Sequence, residues 1–357
     1  MTGARVNAGP TEGLGHDPAT MDLSEAVADN GSRKPLMWSV FGALFGLGLL
    51  YAATRKVQLS ALRETLDSVD EVWLLGILAL TFAFVALKAW RWGMLLRFLP
   101  GTKFSELHSA VYVGLAANFL VSHMGEFVRT MIIARRRDAS ASAVFASVLV
   151  ERALDFIALL VLLALAGLLT PDLPDITKVA AVLTGALVMA AIAGLHLLLR
   201  PPTWLARVAA KAARPLPVAA QTWLRTQLSR SRQGLASIRD PRRMMIAISV
   251  SVLQWSLIVL AIWSSGLAVG QAVSLTAAIV TFVLIVFGLT LPNAPMQIGT
   301  TQLAFAIGFG IDRTGATSAV AASIIYTAFL IIPVMVLGAA CLVRGRMAGQ
   351  TDRARPS

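Results

Sequence analysis

Glu126 and Arg129 are the two residues whose types and spacing most directly suggest chemistry. They follow Gly125 and are three positions apart, so on a helix they would share one face. They lie in an apolar stretch, and ionisable groups at membrane depth usually mark a functional site. A guanidinium binds phosphate in a forked geometry that an ammonium cannot match. We therefore expect Arg129 to bind an anionic group and Glu126 to hold Arg129 when that group is absent. A static ion pair that fixes the backbone is the alternative.

A second set of charged residues lies on the next apolar segment. Glu151 and Asp155 are four positions apart and would share a helical face, with Arg152 beside them. We expect these residues, in the cytoplasmic third of their span, to form the second wall of a polar cavity, where Glu151 and Asp155 could pair with Arg129 or with the basic residues Arg135–Arg137. The alternative is a charged helix end near the membrane surface. Asn118, at the start of the preceding polar break, would either cap a broken helix or contact a bound head group.

A third polar stretch interrupts an apolar run towards the C-terminal end. Pro292 and Pro295 break the helix and free backbone carbonyls, and Gly299 closes the interruption. This stretch has no Glu–Arg pair, so we expect charge selectivity to come from the first set. Its neutral hydrogen-bonding side chains would either contact a ligand or cap the broken helix: Asn293, Gln297, Thr300, Thr301 and Gln302.

The sequence lacks the usual signals of catalysis or metal binding. Cys341 is the only cysteine, and the four histidines show no ligand spacing. Phosphate-binding loops, His-Glu-x-x-His and aspartate-rich diphosphate motifs are missing from the sequence. We expect no metal, no cofactor and no enzymatic activity.

Composition places these residues in a membrane protein. The chain is 57% hydrophobic and 14% charged, whereas soluble domains are about 45–50% apolar and about 25% charged. The net charge of +12 does not indicate nucleic-acid binding. The basic residues cluster at the ends of apolar segments and in one loop, where they orient the chain and contact anionic lipids. We expect Lys88 and Arg91 to be snorkelling anchors at the membrane surface, and lipid binding is the alternative. The expected fold class is an all-α polytopic membrane protein.

Apolar segments of about 20 residues are long enough to cross a bilayer as helices. Two other segments, 104–133 and 273–311, have apolar arms around polar breaks at 118–125 and 291–299. We interpret both as re-entrant hairpins, since irregular backbone at membrane depth must be buried in protein or line a cavity. Two broken segments in corresponding positions indicate an inverted repeat with a site near the midplane. Counting hairpin arms separately would give seven or eight helices. The sequence thus predicts two hairpins and six full transmembrane helices, at 36–54, 72–90, 143–169, 179–199, 244–267 and 314–343.

The polar segments define the domain organisation. Residues 1–34 contain almost no large apolar side chain, which predicts a disordered tail. Residues 35–343 form the membrane domain, and its loop at 200–243 holds ten Lys or Arg residues against one acid. Basic loops stay in the cytoplasm. We therefore expect this loop, the disordered tail and the basic tail at 344–357 to be cytoplasmic.

The order of these motifs resembles that of a known family. The lysylphosphatidylglycerol synthase transmembrane family, a flippase-like group, has a similar first motif and a similar later break. The resemblance covers roughly residues 36–343. Its best-known members also carry a cytoplasmic aminoacyl-transferase domain, and we expect a stand-alone member without that domain. The residues that carry the resemblance are Asn118, Gly125, Glu126, Arg129, Glu151, Arg152 and Asp155, with Pro292 and Gly299 in the second motif.

The resemblance implies a lipid flippase in the bacterial inner membrane. It would move an anionic or otherwise polar-headed lipid between leaflets, passively or driven by an ion gradient. A secondary transporter of a small solute, an enzyme acting on a lipid head group and a non-catalytic partner of a lipid-modifying enzyme are the alternatives. Membrane lipids, such as phospholipids, are the expected partners. A second copy of the chain and a separately encoded lipid-modifying enzyme are further candidates.

Overall fold

The computed structural model describes residues 33–121, 123–169, 240–289 and 294–353, with scattered positions between 179 and 230. Throughout these ranges the regular structure is helical. Several predicted features lie outside the described residues wholly or in large part. They are the disordered tail at 1–34, the span at 179–199, the basic loop at 200–243, Pro292 and Asn293.

The helices before the basic loop are α1 (Arg33–Thr54), α2 (Leu59–Asp67), α3 (Glu71–Leu95), α4 (Phe104–Leu120), α5 (Met124–Arg136) and α6 (Ala141–Leu169). Those after it are α7 (Pro241–Ala268), α8 (Leu275–Gly288), α9 (Thr300–Phe309) and α10 (Ala316–Arg353). Short 3₁₀ turns at Pro295–Gln297 and Gly310–Asp312 flank α9.

Several of these helices are long enough to span a membrane. In the described part of the chain, α3, α6, α7 and α10 are long and apolar enough to cross a bilayer. The apolar helix α8 is shorter. Asp70 begins α3 by accepting a hydrogen bond from the Val72 amide, and Asp240 does the same for α7 through Arg242. The chain is therefore an all-α polytopic membrane protein, as its composition predicts.

Helices α3 and α7 form the antiparallel centre of the bundle. Trp73 packs edge-on against Trp263 with ring centroids 5.8 Å apart, and Phe84 lies 5.5 Å from Trp255. The contact partners on α7 have decreasing residue numbers as the residue number on α3 increases. The two helices therefore run in opposite directions.

The first predicted hairpin is present as two antiparallel helices. A Cβ atom on Gly114 of α4 would lie 3.2 Å from Cβ of Arg129, and one on Gly125 of α5 would lie 2.7 Å from Cγ of Asn118. Only residues without a side chain allow the two helices to come this close. The break is narrower than the predicted 118–125, because Asn118 lies in the last turn of α4 and only residues 121–123 separate the helices.

The second predicted hairpin has the same construction. A Cβ on Gly308 of α9 would lie 2.9 Å from Cα of Thr281 on α8, and Gly288 would meet Thr300 in the same way. The pairs 281–308 and 288–300 again describe antiparallel neighbours. The two arms are thus packed against each other around the break.

Left-handed backbone shapes the second break. Met296, Gln297 and Gly299 have φ values of 58°, 61° and 89°. Helix α1 packs directly onto this segment, since a Cβ on Gly46 would lie 2.9 Å from the carbonyl oxygen of Ile298. Gly46 therefore allows a close contact between α1 and the break.

Candidate functional site

A cluster of ionisable side chains from α3, α5 and α6 is buried inside the bundle. Asp155 is residue 15 of the 29 in α6, so it lies at the midpoint of that helix, and Glu151 lies one turn earlier. The prediction that they occupy the cytoplasmic third of the span is therefore wrong. We call the group the charged cluster, and its members are Lys88, Arg91, Glu126, Arg129, Glu151, Arg152 and Asp155.

Glu151 is the hub of the charged cluster and is fully buried. Its Oε1 accepts from the Lys88 ammonium and lies 3.3 Å from Nη2 of Arg91. Its Oε2 accepts from Nη1 of Arg129 at 2.8 Å. One carboxylate thus pairs with cations from two helices. Such pairing makes it possible to bury charged groups in a helix bundle.

Arg91 joins three helices. It donates to Oδ1 of Asp155 at 2.7 Å and to Oγ of Ser251 on α7 at 2.5 Å. The same Oδ1 accepts from the indole Nε1 of Trp255 at 2.9 Å. The interpretation of Lys88 and Arg91 as snorkelling anchors at the membrane surface is therefore wrong, because both are buried and ion-paired.

Arg129 is held within the protein instead of facing a ligand. Besides Glu151 it contacts the ring of Trp92, with its guanidinium carbon 4.7 Å from the ring centroid. The predicted pairing with Glu126 is not made. The Arg129 side chain extends towards α6 and not towards Glu126. The Glu151 carboxylate and the ring of Trp92 together bind the guanidinium group better than Glu126 alone would.

Glu126 pairs with Arg152 of α6 and also accepts from Nδ2 of Asn118 at 3.3 Å. The Asn118 Oδ1 accepts from the Gly125 amide at 2.6 Å and so caps α5. Arg152 is the most exposed member of the charged cluster, with 38% of its side chain accessible. Glu126 and Arg152 thus form the carboxylate–arginine pair of the charged cluster that is most accessible from outside.

A cavity of about 250 Å³ lies against the charged cluster. The exposed His123 and the partly buried Gln297 also line it. The tips of both hairpins therefore border the same space, and the turn that carries Gln297 packs against α4. The polar wall of the cavity consists of Lys88, Asn118, Glu126, Arg152 and Asp155. Apolar side chains make the rest of the lining, which we call the apolar wall, and they include Phe84, Phe119, Phe156, Phe282, Val286 and Leu330.

Two carboxylate oxygens on the polar wall have unused acceptor capacity. Oε2 of Glu126 and Oδ2 of Asp155 are buried and have no hydrogen-bond partner within the described structure. Nη1 of Arg152 lies 3.6 Å from the Asp155 oxygen, which is beyond hydrogen-bond distance. The charged cluster as defined has four cations and three carboxylates, so its formal charge is +1. The polar wall itself has two cations and two carboxylates, so it is formally neutral, and it has unfilled acceptors.

The polar residues of the second break divide into two groups. Gln302 Oε1 accepts from the Gly299 amide at 2.7 Å, which fits the capping alternative. Thr300 and Thr301 are buried in the first turn of the same helix, α9, and Pro295 begins the 3₁₀ turn. Gln297 alone of these described residues lines the cavity.

The candidate set from the sequence omitted two residues of the site, Lys88 and Trp255. Lys88 had a detectable signal, because its spacing of three from Arg91 places both on one helical face inside an apolar run. Trp255 had none, since a tryptophan in an apolar span is more often a packing residue.

The chain matches the model of a known protein family. A family model described as "Lysylphosphatidylglycerol synthase TM region" matches residues 39–338. No curated protein matches the chain significantly. The matched range begins within α1, ends within α10 and contains every member of the charged cluster.

Proposed function

The chain belongs to the lysylphosphatidylglycerol synthase transmembrane-region family, and from this premise we propose that it is a lipid translocase of the bacterial inner membrane. It moves a lipid with an anionic or otherwise polar head group between leaflets and makes no chemical change to it. The termini, the basic loop at 200–243 and the tail at 344–357 lie on the cytoplasmic side. The family makes the protein one of lipid metabolism or lipid movement. The finer proposal rests on the cavity lining, which combines charged and polar side chains with apolar ones.

The polar wall suits a head group that has both an anion and hydrogen-bond donors. Lys88 and Arg152 supply positive charge for a phosphate. Oε2 of Glu126 and Oδ2 of Asp155 accept from hydroxyl or ammonium groups, and such a partner removes the cost of leaving buried acceptors unfilled. A bare inorganic anion would satisfy only the cations.

The size of the cavity supports the entry of the head group alone. Sites for drug-sized ligands are roughly 300–1,000 Å³, and this cavity is about 250 Å³. Two acyl chains do not fit in it and remain in the bilayer. The apolar wall then covers the part of the lipid next to the head group.

Arg152 takes the role that the sequence suggested for Arg129. It faces the cavity and its pair with Glu126 is accessible, so an incoming phosphate can replace the carboxylate. Asn118 and Gln297 are neutral contacts from the two hairpins. Of the other predicted ligands, Arg129 and Glu151 pair with each other beneath this wall, and Gln302 caps α9.

Reconstitution tests the proposal. Liposomes containing the protein receive fluorescent lipids with different head groups, and the fraction of lipid that crosses is measured with a membrane-impermeant quencher. We expect wild type to exceed empty liposomes, and Arg152→Gln to slow the crossing by about tenfold or more, the effect of losing one hydrogen bond to a charged group. Arg63→Gln is the matched control, since Arg63 is an exposed arginine on α2. Wild type that moves no lipid faster than empty liposomes refutes the proposal.

A further inference from the structure

A second cavity, of about 480 Å³, lies where the C-terminal end of α3 meets the N-terminal end of α7. Among the described residues, none lines both this cavity and the central one. We call it the α3–α7 groove. Its lining is Trp90, Met94, Leu95, Arg97, Asp240, Arg242, Arg243, Met244, Ile246 and Ala247.

The charges of the α3–α7 groove are unbalanced. Asp240 is fully engaged, since it accepts from the Arg242 amide at 3.1 Å and pairs with the Arg243 guanidinium at 2.9 Å. The guanidinium groups of Arg97 and Arg242 have no carboxylate partner among the described residues. Three arginines against one aspartate leave the groove with a formal charge of +2. Guanidinium groups bind phosphate oxygens through paired hydrogen bonds.

The floor of the groove is apolar. Leu95 and Ala247 belong to a small buried cluster with residues of α6, and Met94 and Met244 pack against it. At the side, 48% of Trp90 and 41% of Ile246 are exposed. A tryptophan beside arginines at the end of an apolar helix is typical of the boundary between hydrocarbon and head groups. The groove thus offers cations at head-group level and apolar surface below them.

We propose that the α3–α7 groove binds an anionic diacyl phospholipid, with its phosphate on Arg97 and Arg242 and an acyl chain along Trp90 and Ile246. Charge complementarity selects the anionic lipid over a zwitterionic one, because the two guanidinium groups meet no carboxylate of the described residues. The apolar floor selects a lipid over a soluble phosphate ester. Lipid binding at this groove requires only that the chain spans a membrane. It does not depend on whether the protein translocates lipids.

Quenching of Trp90 fluorescence tests the site. The protein is reconstituted in zwitterionic vesicles that contain increasing amounts of either an anionic or a zwitterionic phospholipid with brominated acyl chains. The chain has eight tryptophans, so the Trp90 signal is taken as the difference between wild type and Trp90→Phe. We expect the anionic lipid to reach half-maximal quenching at a mole fraction at least fivefold lower, since one basic residue near an anionic lipid contributes an effect of about that size.

Charge variants separate binding from general attraction to the membrane. Arg97→Gln with Arg242→Gln should abolish the preference for the anionic lipid. Arg55→Gln with Arg63→Gln removes the same charge from exposed positions near α2 and should leave it intact. An unchanged thermal unfolding midpoint of the first double variant shows that it is folded. Equal quenching by both lipids in wild type, or a preference that survives in the Arg97 and Arg242 variant, overturns the proposal.

Discussion

At the scale of single residues, Glu151 is the group on which the charged cluster depends. It is fully buried and balances Lys88, Arg91 and Arg129. Removing one partner of a buried ion pair leaves an uncompensated charge and costs about 3–5 kcal/mol. We therefore expect Glu151→Gln to lower the free energy of unfolding by about that amount, measured by thermal or denaturant unfolding of the purified protein in detergent.

Glu106→Gln is the matched control for this prediction. Glu106 accepts from Nε of Arg137 at 2.9 Å, but about a quarter of each side chain is exposed. Partly exposed pairs are screened by solvent and contribute less than fully buried ones, so this variant should lose clearly less stability than Glu151→Gln. Similar losses in the two variants would show that the Glu151 contacts do not carry the stability ascribed to them.

Sequence spacing identified most of the charged residues, and it left the partner of Arg129 open between Glu126 and the acidic residues of the next span. The i, i+3 relation of Glu126 and Arg129 is a local pattern, and it favours a pair only if nothing better lies within reach. Helix α6 brings Glu151 to Arg129 and Arg152 to Glu126. The packing of three helices determines this choice of ion-pair partners. Lys88 and Arg91 were misplaced for the same reason, because a cation near a helix end can point to the surface or inward.

At the scale of elements, the close approach of α4 and α5 depends on Gly125. A Cβ there would lie 2.7 Å from Cγ of Asn118 and would overlap the backbone carbonyl of Gly114. Gly125→Ala therefore has to push the arms apart, and overpacking of this kind costs about 1–3 kcal/mol. We expect a lower unfolding midpoint and slower lipid crossing in the reconstituted assay.

Gly76→Ala provides the comparison on another helix. Gly76 lies within α3, and a Cβ there would have no atom within 4 Å. Alanine favours helix by up to about 1 kcal/mol over glycine, so this variant should be as stable as wild type or more stable. A Gly125→Ala protein with wild-type stability would mean that the arms are not in tight contact.

The helical elements were largely predictable because each depends on local signals. Apolar length marks α6 and α7, whose observed bounds differ from the predicted ones by at most three residues. The break in the second hairpin was visible in Pro295 and Gly299, which cannot continue a helix without strain. The helix α2 was missed, since Leu59–Asp67 reads as a mixed-charge connection when its neighbours are unknown.

At the scale of the whole molecule, two antiparallel hairpins border one cavity at the middle of the bundle. Hairpins that enter from opposite membrane faces would place their tips in this way, as an inverted repeat requires. Composition and segment length were enough to predict the membrane class. The apolar wall of the cavity was not predictable, because it combines side chains from α3, α4, α6, α7, α8 and α10 that are distant in sequence.

If the two hairpins enter from opposite faces of the membrane, the residues that flank them should lie on opposite sides. Gly315 follows the second hairpin, is exposed and has open space around it, and Arg135 is an exposed residue at the end of the first. In a Cys341→Ser background, Gly315→Cys should react with a membrane-impermeant thiol reagent added to intact cells. Arg135→Cys should react only after the membrane is opened, since the basic end of α5 stays in the cytoplasm. Labelling of both positions from the same side would mean that the hairpins enter from one face, and the cavity could not then lie between two opposed halves.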